Sequence, residues 1–202
     1  QNVGQAGAFD PSTSATPTSS DDTAPKTLPL RRFVHAALSI LKALVFLHQS
    51  HVMHRDLKCA NILMINDPTE PFETRIVLAD FGLSKKLCSQ KNFTHSSLGS
   101  TRWMAPETLS GSPSSYSSDI WSFGMTLVEL LTGKLPYHGT LVLDVPKMVG
   151  EKKLPKIDWR HTGSDWDPIK NMIVDCLNFE PDLRPSAHTL LQRLTDLYPY
   201  II

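Results

Sequence analysis

The chain has 202 residues and a formal net charge of zero at pH 7, because 20 lysines and arginines balance 20 aspartates and glutamates. This balance predicts no electrostatic binding of nucleic acid or of a membrane surface. No apolar run reaches the length of a membrane span, so no membrane segment is evident in the sequence. The three cysteines are odd in number and lack the spacing of a metal site, which favours reduced thiols in the cytosol or the nucleus. Of these two compartments we expect the cytoplasm.

The first 27 residues differ in composition from the rest of the chain. Nine of them are serine or threonine, and Pro11, Pro17 and Pro25 interrupt any regular element. Such a stretch buries too little apolar surface to offset the entropy lost on ordering. We therefore interpret residues 1–27 as a disordered linker or insertion and residues 28–202 as the folded part.

Three helical patterns follow from apolar residues that recur at steps of three and four. The first predicts a long, largely buried helix that leads to residue 54. The third has Ser186 in front of it as a plausible cap. The residues of the three patterns are Val34, Leu38, Leu41, Val45 and His48; Ile169, Met172, Ile173, Cys176 and Leu177; and Leu190, Leu191, Leu194 and Leu197.

Two short apolar runs, residues 62–65 and 76–79, flank the turn-forming stretch Asn66-Asp67-Pro68. Two strands joined as a hairpin would place the residues just outside them, Asn61 and Asp80, at the same end. We expect residues 66–75 to form the connection. The predicted fold is therefore mostly α with a short β-hairpin.

Three motifs follow one another in the chain: residues 54–61 (His-Arg-Asp-Leu-Lys-Cys-Ala-Asn), 80–82 (Asp-Phe-Gly) and 105–107 (Ala-Pro-Glu). Asp-Phe-Gly alone is a weak signal, and Asp56 followed five residues later by Asn61 is a stronger one, but all three motifs in this order leave little room for chance. Together they resemble the catalytic half of a eukaryotic protein kinase. The resemblance implies that residues 28–202 are a partial protein kinase domain, the large lobe of the kinase fold.

The resemblance also implies the reaction, which is transfer of the γ-phosphoryl group of Mg-ATP to a protein hydroxyl. Asp56 would receive the hydroxyl proton, as a carboxylate can at neutral pH. Lys58 would neutralise charge that gathers on the transferred phosphoryl oxygens. Ser100 lies where serine/threonine kinases place a hydroxyl, usually threonine, that bridges Asp56 and Lys58.

The nucleotide and its metal ions would be held by residues from two loops. Asn61 and Asp80 offer the oxygen atoms that Mg²⁺ prefers, and are the expected metal ligands. Lys58 and the apolar Leu63 would also contact ATP. These four residues are the expected cofactor-binding set.

Other matches to the family concern structure rather than chemistry. Residues 119–124 (Asp-Ile-Trp-Ser-Phe-Gly) resemble the start of the central buried helix, and Asp119 the residue that hydrogen-bonds the catalytic-loop backbone. Arg184, in Glu-Pro-Asp-Leu-Arg-Pro, resembles the arginine that pairs with Glu107. The expected structural residues are His54, Phe81, Gly82, Glu107, Asp119 and Arg184.

A regulatory role follows from the position of Arg55 beside Asp56. Its guanidinium can pair with a phosphate delivered from the segment between Asp80 and Glu107. Thr94, Ser96 and Ser97 are the candidate acceptors of that phosphate. The alternative is an exposed polar loop without regulation.

Three histidines, His48, His51 and His54, are spaced every third residue and suggest a metal site. The resemblance instead places His48 at the end of a helix, His51 in a turn and His54 at the start of the catalytic loop. A metal cluster is therefore the weaker interpretation.

Lys58 resembles the lysine of serine/threonine kinases, and residues 99–107 (Gly-Ser-Thr-Arg-Trp-Met-Ala-Pro-Glu) resemble the tyrosine-kinase-like group of those kinases. This resemblance implies a protein substrate with a serine or threonine acceptor. Two alternatives remain, a dual-specificity or tyrosine kinase and a pseudokinase that acts as a scaffold without turnover.

The front half of the family pattern is missing before His54. No glycine-rich loop and no strand lysine of the kinase type precede it. We therefore expect the N-terminal lobe to be carried in cis by an upstream part of the protein, and residues 1–202 alone to be inactive.

Overall fold

The computed structural model describes residues 29–66, 74–79, 85–86, 95–159, 163–197 and 199. The predicted linker, residues 1–27, lies outside these ranges. The helices are α1 Leu30–Gln49, α2 Pro106–Leu109, α3 Tyr116–Thr132, α4 Val145–Gly150, α5 Asp167–Cys176 and α6 Ala187–Leu197. The strands are β1 Val52–Met53, β2 Ile62–Asn66, β3 Thr74–Leu78 and β4 Lys85–Lys86.

Helix α3 is buried along most of its length because its apolar residues lie on every face. It begins at Tyr116, three residues before the predicted start at Asp119. The reason is a capping box, in which the side chains of Ser115 and Ser118 satisfy each other's backbone N–H groups. Gly133, at φ 62°, ends the helix in the left-handed conformation that glycine adopts without strain.

The three predicted helical patterns are confirmed as α1, α5 and α6. Helix α1 packs against α6 and β3, and α5 packs against α3. At the α3–α5 contact Gly124 lies so close that a Cβ built on it would be 2.8 Å from the Cβ of Cys176. The predicted cap of α6 is also present, because the N–H of Thr189 donates to Ser186 Oγ at 3.1 Å.

The predicted hairpin is confirmed as the antiparallel pair β2–β3, in which Ile62 lies opposite Leu78. Its strands are longer than predicted, because Asn66, Thr74 and Arg75 also pair. Backbone hydrogen bonds extend the ladder there without apolar side chains, so periodicity gave no sign of it. The connection is then 67–73, outside the described residues.

A second small sheet, the antiparallel pair β1–β4, was not predicted. Its strands have two residues each, too few for an alternating pattern to show. None of the described helices has both the length and the apolar character that crossing a membrane requires.

Candidate active site

The backbone of the segment between β1 and β2 is held by one buried carboxylate. Asp119, 1% exposed, accepts the backbone N–H of His54 at Oδ2 (2.9 Å) and that of Arg55 at Oδ1 (2.8 Å). Arg55 has φ 70°, a conformation that residues with a Cβ rarely adopt. Hydrogen bonds to a charged acceptor stabilise this strained residue next to Asp56.

His48 supports the same carboxylate, a role that was not predicted. Its Nε2–H donates to Asp119 Oδ2 at 3.0 Å, and its ring stacks on Tyr116 with centroids 4.5 Å apart. His51 lies in a turn at φ 58°. In the part of the chain that the structure describes, no group of three or more His, Cys, Asp or Glu residues could hold a metal ion.

Asp56 is the centre of a polar cluster, and is only 7% exposed. Its Oδ2 accepts Lys58 Nζ at 2.8 Å and Asn61 Nδ2 at 2.9 Å. Asn61 Nδ2 also donates to the backbone carbonyl of Asp56 at 2.7 Å. The three residues lie in one short segment, so their mutual geometry depends little on other elements.

The other oxygen of this carboxylate, Asp56 Oδ1, is buried and makes no hydrogen bond to any described residue. A buried acceptor without a donor costs free energy. Because Oδ2 already has two donors, Oδ1 is the atom of Asp56 at which an incoming hydroxyl group can be satisfied.

Lys58 links this segment to a part of the chain 42 residues away. Its Nζ donates to Ser100 Oγ at 2.8 Å as well as to Asp56. Ser100 is 6% exposed and lies in a 3₁₀ segment, His95–Trp103. The structure thus brings together the three residues for which a catalytic role was predicted.

The nucleotide side of the site is described in part. Asn61 uses its Nδ2 on Asp56, and its Oδ1 makes no hydrogen bond to a described residue, which leaves it as an oxygen ligand. Leu63 on β2 is 51% exposed. Ala79 N–H donates to the carbonyl of Asn61 at 2.8 Å, so the residue before Asp80 lies beside Asn61. Asp80 itself lies outside the described residues, as do Phe81 and Gly82.

Glu129 connects the segment that contains Asp56 with the segment that contains Ser100, and this role was not predicted from the sequence. Its Oε2 accepts the backbone N–H of Cys59 at 3.1 Å and the indole Nε1–H of Trp103 at 2.9 Å. The available signal was a carboxylate in an otherwise apolar stretch of α3. Burial, and next the charge of Glu129, raise the pKa of the Cys59 thiol, which therefore stays protonated at neutral pH.

Glu107 and Arg184 form a bidentate ion pair. Arg184 Nη1 and Nη2 each donate to one oxygen of Glu107 at 2.8 Å, and Ser118 Oγ donates to Oε1 at 2.8 Å. The guanidinium also lies 5.1 Å from the ring centroid of Trp121. Burial acts to raise the pKa of Glu107, but the hydrogen bonds and charge of Arg184, with a backbone hydrogen bond and that of Ser118, together outweigh burial and lower the pKa.

The residues with a predicted regulatory role are only partly described. Arg55 Nε is buried and makes no hydrogen bond within the described ranges. Ser96 and Ser97 lie in the 3₁₀ segment His95–Trp103, and Thr94 lies outside the described residues.

Arg102, two residues after Ser100, makes contacts that no local pattern predicts. Its guanidinium donates to three backbone carbonyls in the loop after α3, those of Pro136 (3.0 Å), Tyr137 (2.8 Å) and Thr140 (2.7 Å). This loop contains a left-handed residue, Tyr137, at φ 56°. Arg102 therefore ties the loop to the segment that carries Ser100.

Comparison with known proteins identifies the family. A sequence model of the protein kinase domain matches residues 19–194. A probable serine/threonine-protein kinase, mkcD of Dictyostelium discoideum, is 37% identical over 163 residues, which are 80% of this chain and 24% of that protein. Mitogen-activated protein kinase kinase kinase 3 of Arabidopsis thaliana is 38% identical over 161 residues, 76% of this chain and 23% of that protein.

Serine/threonine-protein kinase 10 of Xenopus tropicalis is 34% identical over 159 residues, 76% of this chain and 16% of that protein. The chain thus spans a quarter or less of the length of these relatives. The family match covers most of the chain and includes all the residues of the cluster around Asp56. The chain belongs to the protein kinase domain family.

Proposed function

We propose that the protein containing this chain is a serine/threonine protein kinase, which transfers the γ-phosphoryl group of Mg-ATP to a serine or threonine of a protein substrate. The observation that carries the proposal is the buried Asp56 carboxylate, with Oδ2 held by Lys58 and Asn61 and Oδ1 without a described partner. A fixed carboxylate with one oxygen that lacks a hydrogen-bond donor suits a group that must orient a hydroxyl and accept its proton.

In the proposed reaction the acceptor hydroxyl donates to Asp56 Oδ1 and is aimed by it. The acceptor oxygen bonds to the γ-phosphorus, the bond from that phosphorus to the ADP oxygen breaks, and the proton passes to Asp56. The ammonium group of Lys58, fixed between Asp56 and Ser100, offsets negative charge on the phosphoryl oxygens.

Magnesium would be held by Asn61 and Asp80. The donor set fits, because an amide oxygen and a carboxylate are hard ligands and Asn61 Oδ1 is left open. The bound ion would supply charge neutralisation on the ATP phosphates. Leu63, half-exposed on β2, would provide an apolar contact to the nucleotide.

Serine/threonine specificity is supported by Lys58 with its Ser100 partner and by the relatives, which are named serine/threonine-protein kinases. Membership of the tyrosine-kinase-like group stays a prediction that rests on residues 99–107. A location in the cytoplasm is supported by Cys59 and Cys176, whose thiols are not paired in disulfides.

The contacts to ATP that this chain lacks are proposed to come from an N-terminal lobe in cis. Residues 1–53 contain no glycine-rich loop and no strand lysine of the kinase type. Without these groups the β- and γ-phosphates lose much of their binding energy and alignment.

Regulation by phosphorylation is proposed at Thr94, Ser96 and Ser97. Its support is Arg55, which directly precedes Asp56 in the chain and whose buried Nε has no described partner. A phosphate pairing with it would fix the Asp56 segment. Replacing the three acceptors by alanine should lower activity. If the alanine variant is as active as the phosphorylated wild-type protein, this role is rejected.

The test of the main proposal is Asp56→Asn in the full-length protein. The variant keeps the side-chain shape but cannot accept the proton, so phosphate incorporation into a generic protein substrate should fall about 10²–10⁴-fold. Asp196→Asn, an exposed carboxylate on α6, is the matched control and should leave the rate unchanged. A rate for Asp56→Asn within about threefold of wild type would contradict the proposal, because a general base is worth far more.

A further inference from the structure

A groove of about 780 Å³ lies between the end of α3, the loop that follows it, and residues 153–158. Its wall is partly apolar, and Leu135 and Leu154 in it remain 49% and 37% exposed. Tyr137 OH donates to the carbonyl of Lys153 at 3.0 Å and joins the two sides. A hydrogen bond within the fold therefore holds the two sides of the groove together, and large apolar side chains remain accessible in it.

Positive charge predominates around this groove although the chain is neutral overall. Lys134 and Lys156 are exposed and form no ion pair with a described residue. Lys153 is neutralised by Glu151 at 2.7 Å. Asp158 is the acidic residue of the lining and has an interaction of its own. Two open ammonium groups beside exposed leucines favour an occupant that is both acidic and apolar.

The groove is connected to the proposed catalytic residues through Arg102. The carbonyls that accept from its guanidinium belong to Pro136, Tyr137 and Thr140, and all three residues line the groove. Arg102 is two residues from Ser100, which bonds Lys58. A segment bound in the groove would thus lie on the loop that Arg102 ties to the segment containing Ser100.

We propose that this groove is a docking site for an acidic, leucine-containing segment of the protein substrate. The segment's leucines would cover Leu135 and Leu154, and its carboxylates would pair with Lys134 and Lys156. The proposal deepens the proposed function and rests on it for the identity of the partner as a substrate. The binding step itself needs neither ATP nor turnover.

The test measures binding of a fluorescein-labelled peptide, Glu-Asp-Leu-Glu-Asp-Leu-Leu-Glu, to the full-length protein by fluorescence anisotropy. A double substitution, Lys134→Glu with Lys156→Glu, should weaken binding at least about tenfold, or about 1.4 kcal/mol. Leu154→Ser should also weaken it. Lys42→Glu, an exposed lysine on α1 away from the groove, is the matched control and should bind as wild type does.

Measurements on the unaltered protein keep the proposal falsifiable if a variant fails to fold. Binding should weaken as sodium chloride rises from about 0.05 to about 0.5 M, because salt screens exposed charges. A peptide with lysines in place of the acidic residues should not bind. Equal binding of both peptides, no binding of the acidic peptide, or self-association that the Lys134→Glu/Lys156→Glu protein loses would each overturn the proposal.

A kinetic experiment separates this proposal from the proposed function. The acidic segment, fused to an acceptor peptide, should lower its KM in wild-type enzyme but not in the Lys134→Glu/Lys156→Glu variant, with kcat unchanged. Loss of peptide binding with phosphotransfer intact would reject the docking site alone. Peptide binding without any phosphotransfer would reject the kinase function and leave an acidic-peptide site.

Discussion

Asp119 and Glu107 are both carboxylates with little solvent exposure, and both hold distant parts of the chain, but their partners differ. Asp119 accepts from two backbone N–H groups and one imidazole. Glu107 accepts from a guanidinium and a serine hydroxyl. The backbone donors to Asp119 fix the conformation of the chain at His54 and Arg55. The guanidinium of Arg184 instead carries a buried positive charge, which needs the negative charge of Glu107 beside it.

This difference predicts that loss of the contacts of Asp119 and loss of those of Glu107 have separate consequences. The Asp119 contacts determine where Asp56 lies, so their loss should affect turnover more than stability. The Glu107–Arg184 pair connects α2 to the segment before α6, so breaking it from one side should leave an uncompensated charge and affect stability first.

Among the variants at or next to Asp119 and Glu107, the largest expected effect on turnover is that of Asp119→Asn. An amide has one acceptor oxygen, so its NH₂ group would face either the N–H of Arg55 or the donors from His48 and His54. We expect Arg55 to leave its left-handed conformation and kcat to fall by about 10²-fold, as displacement of a catalytic group by about 1 Å does. Steady-state kinetics of the full-length protein measure this. An unchanged kcat would remove Asp119 from the site.

The second effect is on stability. Glu107→Gln or Arg184→Met should each lower the free energy of unfolding by about 3–5 kcal/mol, because each leaves one member of the pair buried without its partner. Urea unfolding followed by tryptophan fluorescence measures the loss. The double variant should lose less than the sum of the two single losses, since it has no unpaired charge. Additive losses would show that the pair is not coupled.

Part of the fold and of the candidate site could be predicted from the sequence, and part could not. The motifs identified Asp56, Lys58, Asn61 and Ser100, and the structure brings them together, because most of the cluster lies within six consecutive residues. Periodicity predicted α1, α5 and α6, whose buried faces repeat regularly. Glu129 and Arg102 were missed since their partners are backbone groups or an indole that only the folded chain brings near.

A third effect concerns acid. The pKa of Glu107 is lower in the folded protein than its ordinary value of 4.5, so its ionised form favours folding. This contribution is fully present above the ordinary pKa and is lost as the pH falls through the folded pKa. The stability difference between wild type and Glu107→Gln should therefore shrink with acidification. Urea unfolding over a pH series measures it, and a difference that grows towards low pH would contradict the sign.

The smallest effect should come from the third donor to Asp119. His48→Phe keeps a ring that can stack on Tyr116 but removes the Nε2–H bond, and leaves the bonds from His54 and Arg55 in place. One such hydrogen bond is worth about 0.5–1.5 kcal/mol, or up to roughly tenfold, if all of it appears in the rate. We expect kcat to fall within this limit while KM for ATP stays unchanged.

Ser118→Ala is the matched control, because it removes the hydroxyl that donates to Glu107. This variant should lower stability and leave kcat as it is. If His48→Phe alters only stability, or Ser118→Ala alters only kcat, then the claim that Asp119 serves turnover and Glu107 serves stability is wrong.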